Sequence, residues 1–176
     1  ITIDRKKQPK DSYTAGNSIY AGYIATEYYP VAPLLVNLGV RYEISKQWVD
    51  YYTDGGKAER SELNKNDLFP SLNMKYQMNE KNSLRFAFSR TVTRPSFIEM
   101  APFLYQESYG SAQIRGNADL QNGYNYNIDL RYELFEKNGD MLSITAYYKH
   151  LKAPIERVQT LSGGSAVHSF RNADNG

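Results

Sequence analysis

Two groups of side chains have the types and spacing to hold a ligand. Trp48, Tyr51 and Tyr52 lie close together in one segment, and Phe97, Phe103, Tyr105, Tyr109 and Arg115 lie in a second. Aromatic faces stack on the apolar faces of sugars and siderophores, and binding residues concentrate on loops carried by a rigid scaffold. Each group also has a plainer reading. Trp48 and its neighbours suit an interfacial anchor at the base of a loop. The second group suits a loop packed on itself or into an interior.

Catalytic and metal chemistry find less support. The chain has no cysteine, which excludes a disulfide framework, a thiolate metal site and a cysteine nucleophile. His150 and His168 are far apart and lack ligand-spaced partners, so no metal or other cofactor is expected. No nucleophile stands beside a base and no carboxylates pair in a defined setting, which argues against an enzyme. With a net charge of +2 and Lys and Arg spread along the chain, there is no basic stripe to neutralise a phosphate backbone, so nucleic acid is not an expected partner.

Strands are the elements that must carry these residues. Between Leu34 and Glu43, Leu34, Val36, Leu38, Val40 and Tyr42 share one face, while Leu35, Asn37, Gly39, Arg41 and Glu43 share the other. The alternation returns with Leu72, Met74, Tyr76 and Met78, and again with Leu84, Phe86 and Phe88. It is clearest where Tyr126, Ile128, Leu130, Tyr132 and Leu134 oppose Asn125, Asn127, Asp129, Arg131 and Glu133. A last run sets Leu142, Ile144, Ala146 and Tyr148 against Ser143, Thr145, Tyr147 and Lys149.

The connections are expected to alternate in length. Short turns fall near residues 30–33, 79–83 and 137–140, the last with Asn138-Gly139 suited to a primed hairpin turn. Long loops are expected near 44–67 and 96–124. The stretch SFIEMAPFL has room for a helical turn or two, limited by Pro102, and Arg94-Pro95 reads as the end of a ladder. Residues 1–18 are polar without a period and read as a loop ahead of a barrel region at 19–176.

An up-and-down barrel has this order of turns, with long loops outside and tight turns on the periplasmic side. Mean hydropathy is negative and no apolar run is long enough for a membrane helix, which leaves a transmembrane sheet open because such strands are apolar on one face only. The 16 Tyr decide more. Tyr42, Tyr76, Tyr132 and Tyr148 sit near strand ends on the apolar face, as an aromatic girdle requires. The polar face, with Arg41, Lys75, Arg85, Asp129, Arg131 and Glu133, suits a wet lumen. A substrate path is one role for those charges, but cross-strand pairing and contacts with a domain inside the barrel explain them without a ligand.

Longer phrases resemble the barrel region of TonB-dependent receptors of the outer-membrane β-barrel type over about residues 19–175. They include FPSLNMKYQMNEKNSLRFAFSRTVTRPSFIEMAPF, GNADLQNGYNYNIDLRYELFEKNGDMLSITAYYKHLKAPIERV and LGVRYE. The most specific parts are Phe69-Pro70-Ser71 at a strand start, Arg94-Pro95-Ser96, Gly116-Asn117 with Asp119-Leu120, and Tyr148-Lys149 followed by Pro154-Ile155-Glu156. The resemblance implies uptake of a bulky nutrient, such as a siderophore or an oligosaccharide, through a plugged barrel of roughly 22 strands in the outer membrane. It also implies outer-membrane lipid, a plug domain of the full-length chain, an inner-membrane energy-coupling complex and an extracellular lipoprotein as partners. The sequence shows no plug, no energy-coupling box and no terminal aromatic strand. The expected fold is therefore all-β: an antiparallel up-and-down transmembrane β-barrel segment of about six or seven strands, too few to close. No signal peptide opens the chain, so residue 1 is not expected to be a natural start. A soluble β-sandwich that binds carbohydrate through its tyrosines is the competing reading, because alternation alone does not separate hydrocarbon from a protein core.

Overall fold

The computed structural model describes residues 12–53, 55–106, 110–162 and 165–174. In chain order the elements are β1 (Tyr13–Val31), β2 (Leu34–Tyr52), β3 (Ala58–Gln77), β4 (Asn82–Thr93), α1 (Phe97–Met100), β5 (Leu104–Tyr105), β6 (Gln113–Arg115), β7 (Gly123–Phe135), β8 (Met141–Lys152), β9 (Ile155–Ser162) and β10 (Ser165–Asn172). One sheet has the order β1-β2-β3-β4-β7-β8 and every pair in it is antiparallel. A smaller sheet has the order β5-β6-β10-β9, with β6 and β10 parallel. The large sheet is open, with β1 and β8 at its edges.

The register turns sequence alternation into two continuous surfaces, because residues directly opposite on antiparallel strands point to the same side. On one side Leu34, Tyr76, Leu84, Tyr132 and Ile144 form a row, as do Leu38, Leu72, Phe88, Ile128 and Tyr148. On the other, Asn37, Asn73, Ala87, Asp129 and Tyr147 form one row and Lys75, Arg85, Arg131 and Thr145 the next. The apolar surface is uncovered: Ile24 is 76% exposed, Leu38 50% and Ile144 62%. A sandwich would bury these side chains under a second layer, and among the described residues no such layer lies on them.

The height of the stripe fits a membrane. On β2 it runs from Leu34 to Ile44, ten steps of roughly 3.3 Å, and a tilt of about 40° reduces that length to about 25 Å along the membrane normal. Beyond Ile44 and Leu68 the same face becomes Lys46, Trp48 and Asp50 opposite Glu62 and Arg60, a change from hydrocarbon-compatible to water-compatible side chains.

Three expected boundaries are corrected. Strand β1 begins at Tyr13, so residues 13–18 are not loop; Thr14, Gly16 and Ser18 carry no apolar signal because they lie beyond the stripe. Residues 44–67 are mainly a two-stranded extension paired from Ile44↔Asn66 to Tyr52↔Ala58, and the reversal is confined to residues 53–57. A ladder is held by backbone hydrogen bonds, so above the membrane it continues without apolar alternation. Phe69-Pro70-Ser71 does not start a strand either. It lies inside β3 where pairing with β4 stops at Ser71↔Ser89, next to a proline without an amide donor.

The turn at 137–140 falls where expected but is not the primed hairpin turn, since Gly139 has positive φ (93°) and Asn138 does not, and the loop expected at 96–124 ends at 122, because β7 begins at Gly123. Strand β4 ends at Thr93, immediately before Arg94-Pro95. Segment 96–122 holds the single helical turn α1 and the short strands β5 and β6. Ser96 N donates to Glu99 Oε2 at 2.7 Å, and Ala101 N to Phe97 O at 3.0 Å, which satisfies groups that so short a helix leaves over.

Candidate functional site

The loop after β4 folds over the charged side of the sheet at the end away from the short turns. Pro95 O accepts from the buried Gln47 Nε2 at 2.7 Å, and Gln47 also meets Met100 Sδ at 3.2 Å. Arg94 pairs with Glu43, which also accepts from Arg41 Nε at 2.6 Å. A small core forms where Met100 and Ala101 meet Val49 and Leu63, and Ala15, Tyr51, Phe97 and Phe103 pack around it.

The stretch from Gly116 to Leu120 clips the loop down. A Cβ on Gly116 would lie 2.2 Å from Ala101 O and 2.6 Å from Ile98 O, so only glycine fits against α1. Asn117 N donates to Glu99 O at 2.6 Å, its Nδ2 donates to Phe170 O at 2.9 Å, and its Oδ1 accepts from Asp119 N at 2.9 Å. Ser61 Oγ donates to Ala118 O at 2.7 Å, and Leu120 is buried. Asn172 closes the far side, its Oδ1 accepting from Gln121 N at 2.8 Å and its Nδ2 donating to Gln121 O and Ala153 O. One short motif thus ties α1, β3 and the β9–β10 hairpin together.

Where β3 leaves β4, side chains close the gap. The Arg90 guanidinium lies 4.4 Å from the Tyr124 ring centroid and its Nη1 donates to Leu68 O at 2.7 Å. The Tyr124 hydroxyl donates to the buried Asp67 carboxylate at 2.8 Å.

This arrangement divides the expected ligand residues. Tyr51, Phe97, Phe103 and Tyr105 come together: Phe103 stacks on Tyr13 with centroids 5.6 Å apart and lies 5.9 Å from Tyr105. Trp48 is on the opposite face of β2. It lies flat over Gly16, where a Cβ would be 2.7 Å from the indole, with the Arg60 guanidinium 4.9 Å from its ring centroid. Tyr52 is exposed on that same outward face near the strand end. Arg115, on β6, borders a cleft of about 340 Å³ with Leu104, Gln113, Thr160 and Ser169. Tyr109 lies outside the described residues.

The charges serve the architecture. In the hairpin beyond the stripe, Arg60 donates to Asp50 and holds its carboxyl below the ordinary 3.8. Burial, reinforced by Glu59, raises the Tyr51 hydroxyl. Among the described residues no three His, Cys, Asp or Glu side chains group to hold a metal, and His150 stands beside Tyr126 with ring centroids 6.0 Å apart. Sequence reasoning missed Gln47 and the docking role of Arg94. Their only sequence signal is a polar residue on a face that meets another segment, and single-strand periodicity does not show that segment.

Comparison with known proteins agrees with this geometry. The model of the outer membrane protein beta-barrel family matches residues 3–176. Among solved structures, the hemophore receptor HasR of Serratia marcescens, in complex with its hemophore HasA and heme, superposes with a TM-score of 0.67 at 13% identity, covering 89% of this chain and 29% of HasR. The siderophore receptor PirA of Pseudomonas aeruginosa gives 0.58 at 17% identity, covering 93% and 38%. A mutant of the ferric enterobactin receptor PfeA of the same organism, in complex with enterobactin, gives 0.56 at 17%, covering 93% and 32%. The chain therefore spans about a third of the length of these receptors. No curated protein matches the chain in sequence.

Proposed function

Because the chain belongs to the outer membrane protein beta-barrel family and so to the cell outer membrane, we propose that it forms wall strands and outer loops of an energy-coupled, TonB-dependent receptor that imports a bulky nutrient such as a siderophore or an oligosaccharide. The observation that carries this reading is the two-sided sheet: an uncovered apolar stripe of membrane height on one side, and on the other a charged surface with a loop folded over its outer end. Receptors of similar wall geometry have names that record hemophore, siderophore and ferric enterobactin binding. Their length leaves room for the plug domain and remaining strands that such a receptor requires. An inner-membrane energy-coupling complex and an extracellular lipoprotein complete the proposed partners.

Within this reading Tyr51 on β2 and Phe97, Phe103, Tyr105 and Arg115 in the segment after β4 form the ligand surface at the mouth. Trp48, on the outward face just beyond the stripe, acts as an interfacial anchor, and Tyr52, eight residues past Ile44 on that face, stands in water away from the mouth. Cells that rely on the complete receptor test the assignment with a panel of ferric siderophores, haem and oligosaccharides. Substituting Phe103 and Tyr105 with alanine lowers uptake of the accepted compound at least tenfold, whereas Trp48→Ala leaves it unchanged. Equal loss in both variants would remove the proposed division between mouth and membrane anchor.

A further inference from the structure

The wall of the large sheet is continuous only near the short turns. Strands β3 and β4 pair from Gln77↔Ser83 to Ser71↔Ser89, and there their ladder stops. Beyond that point β3 runs on to Ala58 paired with β2, and β4 runs on to Thr93 paired with β7. The sheet thus divides into two blades, β1-β2-β3 and β4-β7-β8, which meet at Ser71 and Ser89. Both sides of the split belong to this chain, so it lies within the wall and is distinct from the edges at β1 and β8.

The split starts at the depth of the lipid. Pro70, the first residue past the last pair on β3, stands opposite Val40, and the apolar stripe continues beyond it to Leu68 and Ile44. Hydrocarbon cannot hydrate the backbone groups that an interrupted ladder leaves over, so side chains must answer them. Arg90 does so. It follows Leu84, Phe86 and Phe88 on the lipid-facing side of β4, where an apolar residue would continue the pattern. Its Nη1 donates to Leu68 O across the split at 2.7 Å, and its guanidinium lies 5.8 Å from the Phe69 ring centroid on β3 and 4.4 Å from that of Tyr124 on β7. The Tyr124 hydroxyl makes a second tie, donating to Asp67 Oδ1 at 2.8 Å. This latch is not saturated, because Asp67 Oδ2 and Arg90 Nε are buried without a hydrogen-bond partner among the described residues. Such atoms cost free energy when buried and less when they reach water, which favours release.

The loop over the inner face spans the same split. It is rooted in β4 and β7, yet it grips the other blade: Gln47 Nε2 donates to Pro95 O, Arg94 pairs with Glu43, and Ser61 Oγ donates to Ala118 O. The aromatic surface at the mouth is divided likewise, with Tyr13 and Tyr51 on one blade and Phe97, Phe103 and Tyr105 on the loop. Separation of the blades takes this surface apart.

Resting on the receptor reading above, we propose that the split is a hinge in the barrel wall that regulates the mouth. With Arg90 and Tyr124 latched, the blades are closed and the aromatic surface is assembled. With the latch released, they part about Ser71 and Ser89 and draw the loop away from β2 and β3. A ligand that touches rings on both blades favours the closed form, because its full set of contacts exists only there.

Spin labels in the complete receptor, purified in detergent, test this without a ligand. Labels on cysteines introduced at Asn66 and Lys152 report across the split, and labels at Asn66 and Thr14 report within one blade; all three positions are exposed. Arg90→Ala widens the Asn66–Lys152 distance distribution roughly twofold or more, as hinge motion requires, and leaves the Asn66–Thr14 distribution as in the parent. It also speeds proteolysis between residues 96 and 122. Arg90→Lys, which keeps a donor for Leu68 O, stays near the parent. Tyr124→Phe loses one tie, gives a smaller widening, and carries the test if Arg90→Ala forms no barrel by heat-modifiable electrophoretic mobility. Unchanged Asn66–Lys152 distances in Arg90→Ala and Tyr124→Phe would overturn the proposal and leave the split a rigid seam. Equal widening of the pair within one blade, or loss of barrel mobility in Tyr124→Phe, would also overturn it, since the wall would then loosen as a whole. A complete protein without a lumen domain defeats the receptor reading, a result visible before any label is attached.

Discussion

At the scale of single residues, side chains that look alike in sequence have different tasks because of the face they occupy. Trp48 and Tyr51 are near neighbours in the chain, yet one lies over Gly16 outside the sheet and the other packs beside Val49 within. Gly116 has the least freedom, since any side chain collides with two carbonyl oxygens of the α1 segment. Gly116→Ala is expected to detach the loop or strain it by about 2 kcal/mol, within the range for overpacking. Limited proteolysis between residues 96 and 122 reads this as faster cleavage, while Gly22→Ala, where a Cβ meets nothing within 4 Å, cleaves as the parent does. A pH effect belongs at this scale too. Asp50 titrates below its ordinary 3.8 because Arg60 donates to it, so the pair's contribution is complete above that value and is lost as pH falls through the lowered one. Carbon-detected titration of Asp50 in the detergent-solubilised receptor should show no change between pH 7 and 5, and a midpoint below 3.8.

Elements were legible where lipid imposes a pattern and obscure where it does not. The strands around Leu38, Leu72, Phe88 and Ile128 stand out because each alternate side chain meets a different medium. The same β2 and β3 continue past Ile44 as a ladder with water on both sides, and there the alternation vanishes although the pairing does not. For that reason 44–67 read as loop. The loop over the inner face was legible only in part: SFIEMAPFL left room for a helical turn or two, of which one forms, whereas the contact of Gln47 with Pro95 O joins residues 48 positions apart and leaves no local trace. Element-scale substitutions separate the two faces. Leu38→Arg, near mid-membrane on the apolar side, is expected to cost about 2–4 kcal/mol in a folding titration in detergent or lipid. Asn37→Arg, one residue away on the wet side, should stay within about 1 kcal/mol, as lumen-facing substitutions do. Equal costs would mean that the faces are wrongly assigned.

For the whole molecule, the consequence lies in what the sheet leaves open. Among the described residues, strands β1 and β8 end the sheet with one side unpaired, and the apolar stripe meets no protein. Such an object templates association through its edges and its greasy face. The chain produced by itself is therefore expected to scatter light and sediment as aggregate in detergent-free buffer. In detergent micelles it should stay dispersed, with circular dichroism dominated by strand. A monodisperse, cooperatively melting monomer in plain buffer would contradict the membrane assignment.

The order of residues alone determined that this is a sheet with one face for hydrocarbon and one for water, because a strand's period of two writes its surroundings directly into alternate side chains. It also determined where the tight turns fall. Tertiary structure alone decided that the long loop turns inward over Val49 and Leu63, that β10 pairs in parallel with β6, and that Trp48 and Tyr51 part company. Those outcomes depend on backbone hydrogen bonds and on contacts between distant segments, and neither leaves a periodic mark on the residues that make them.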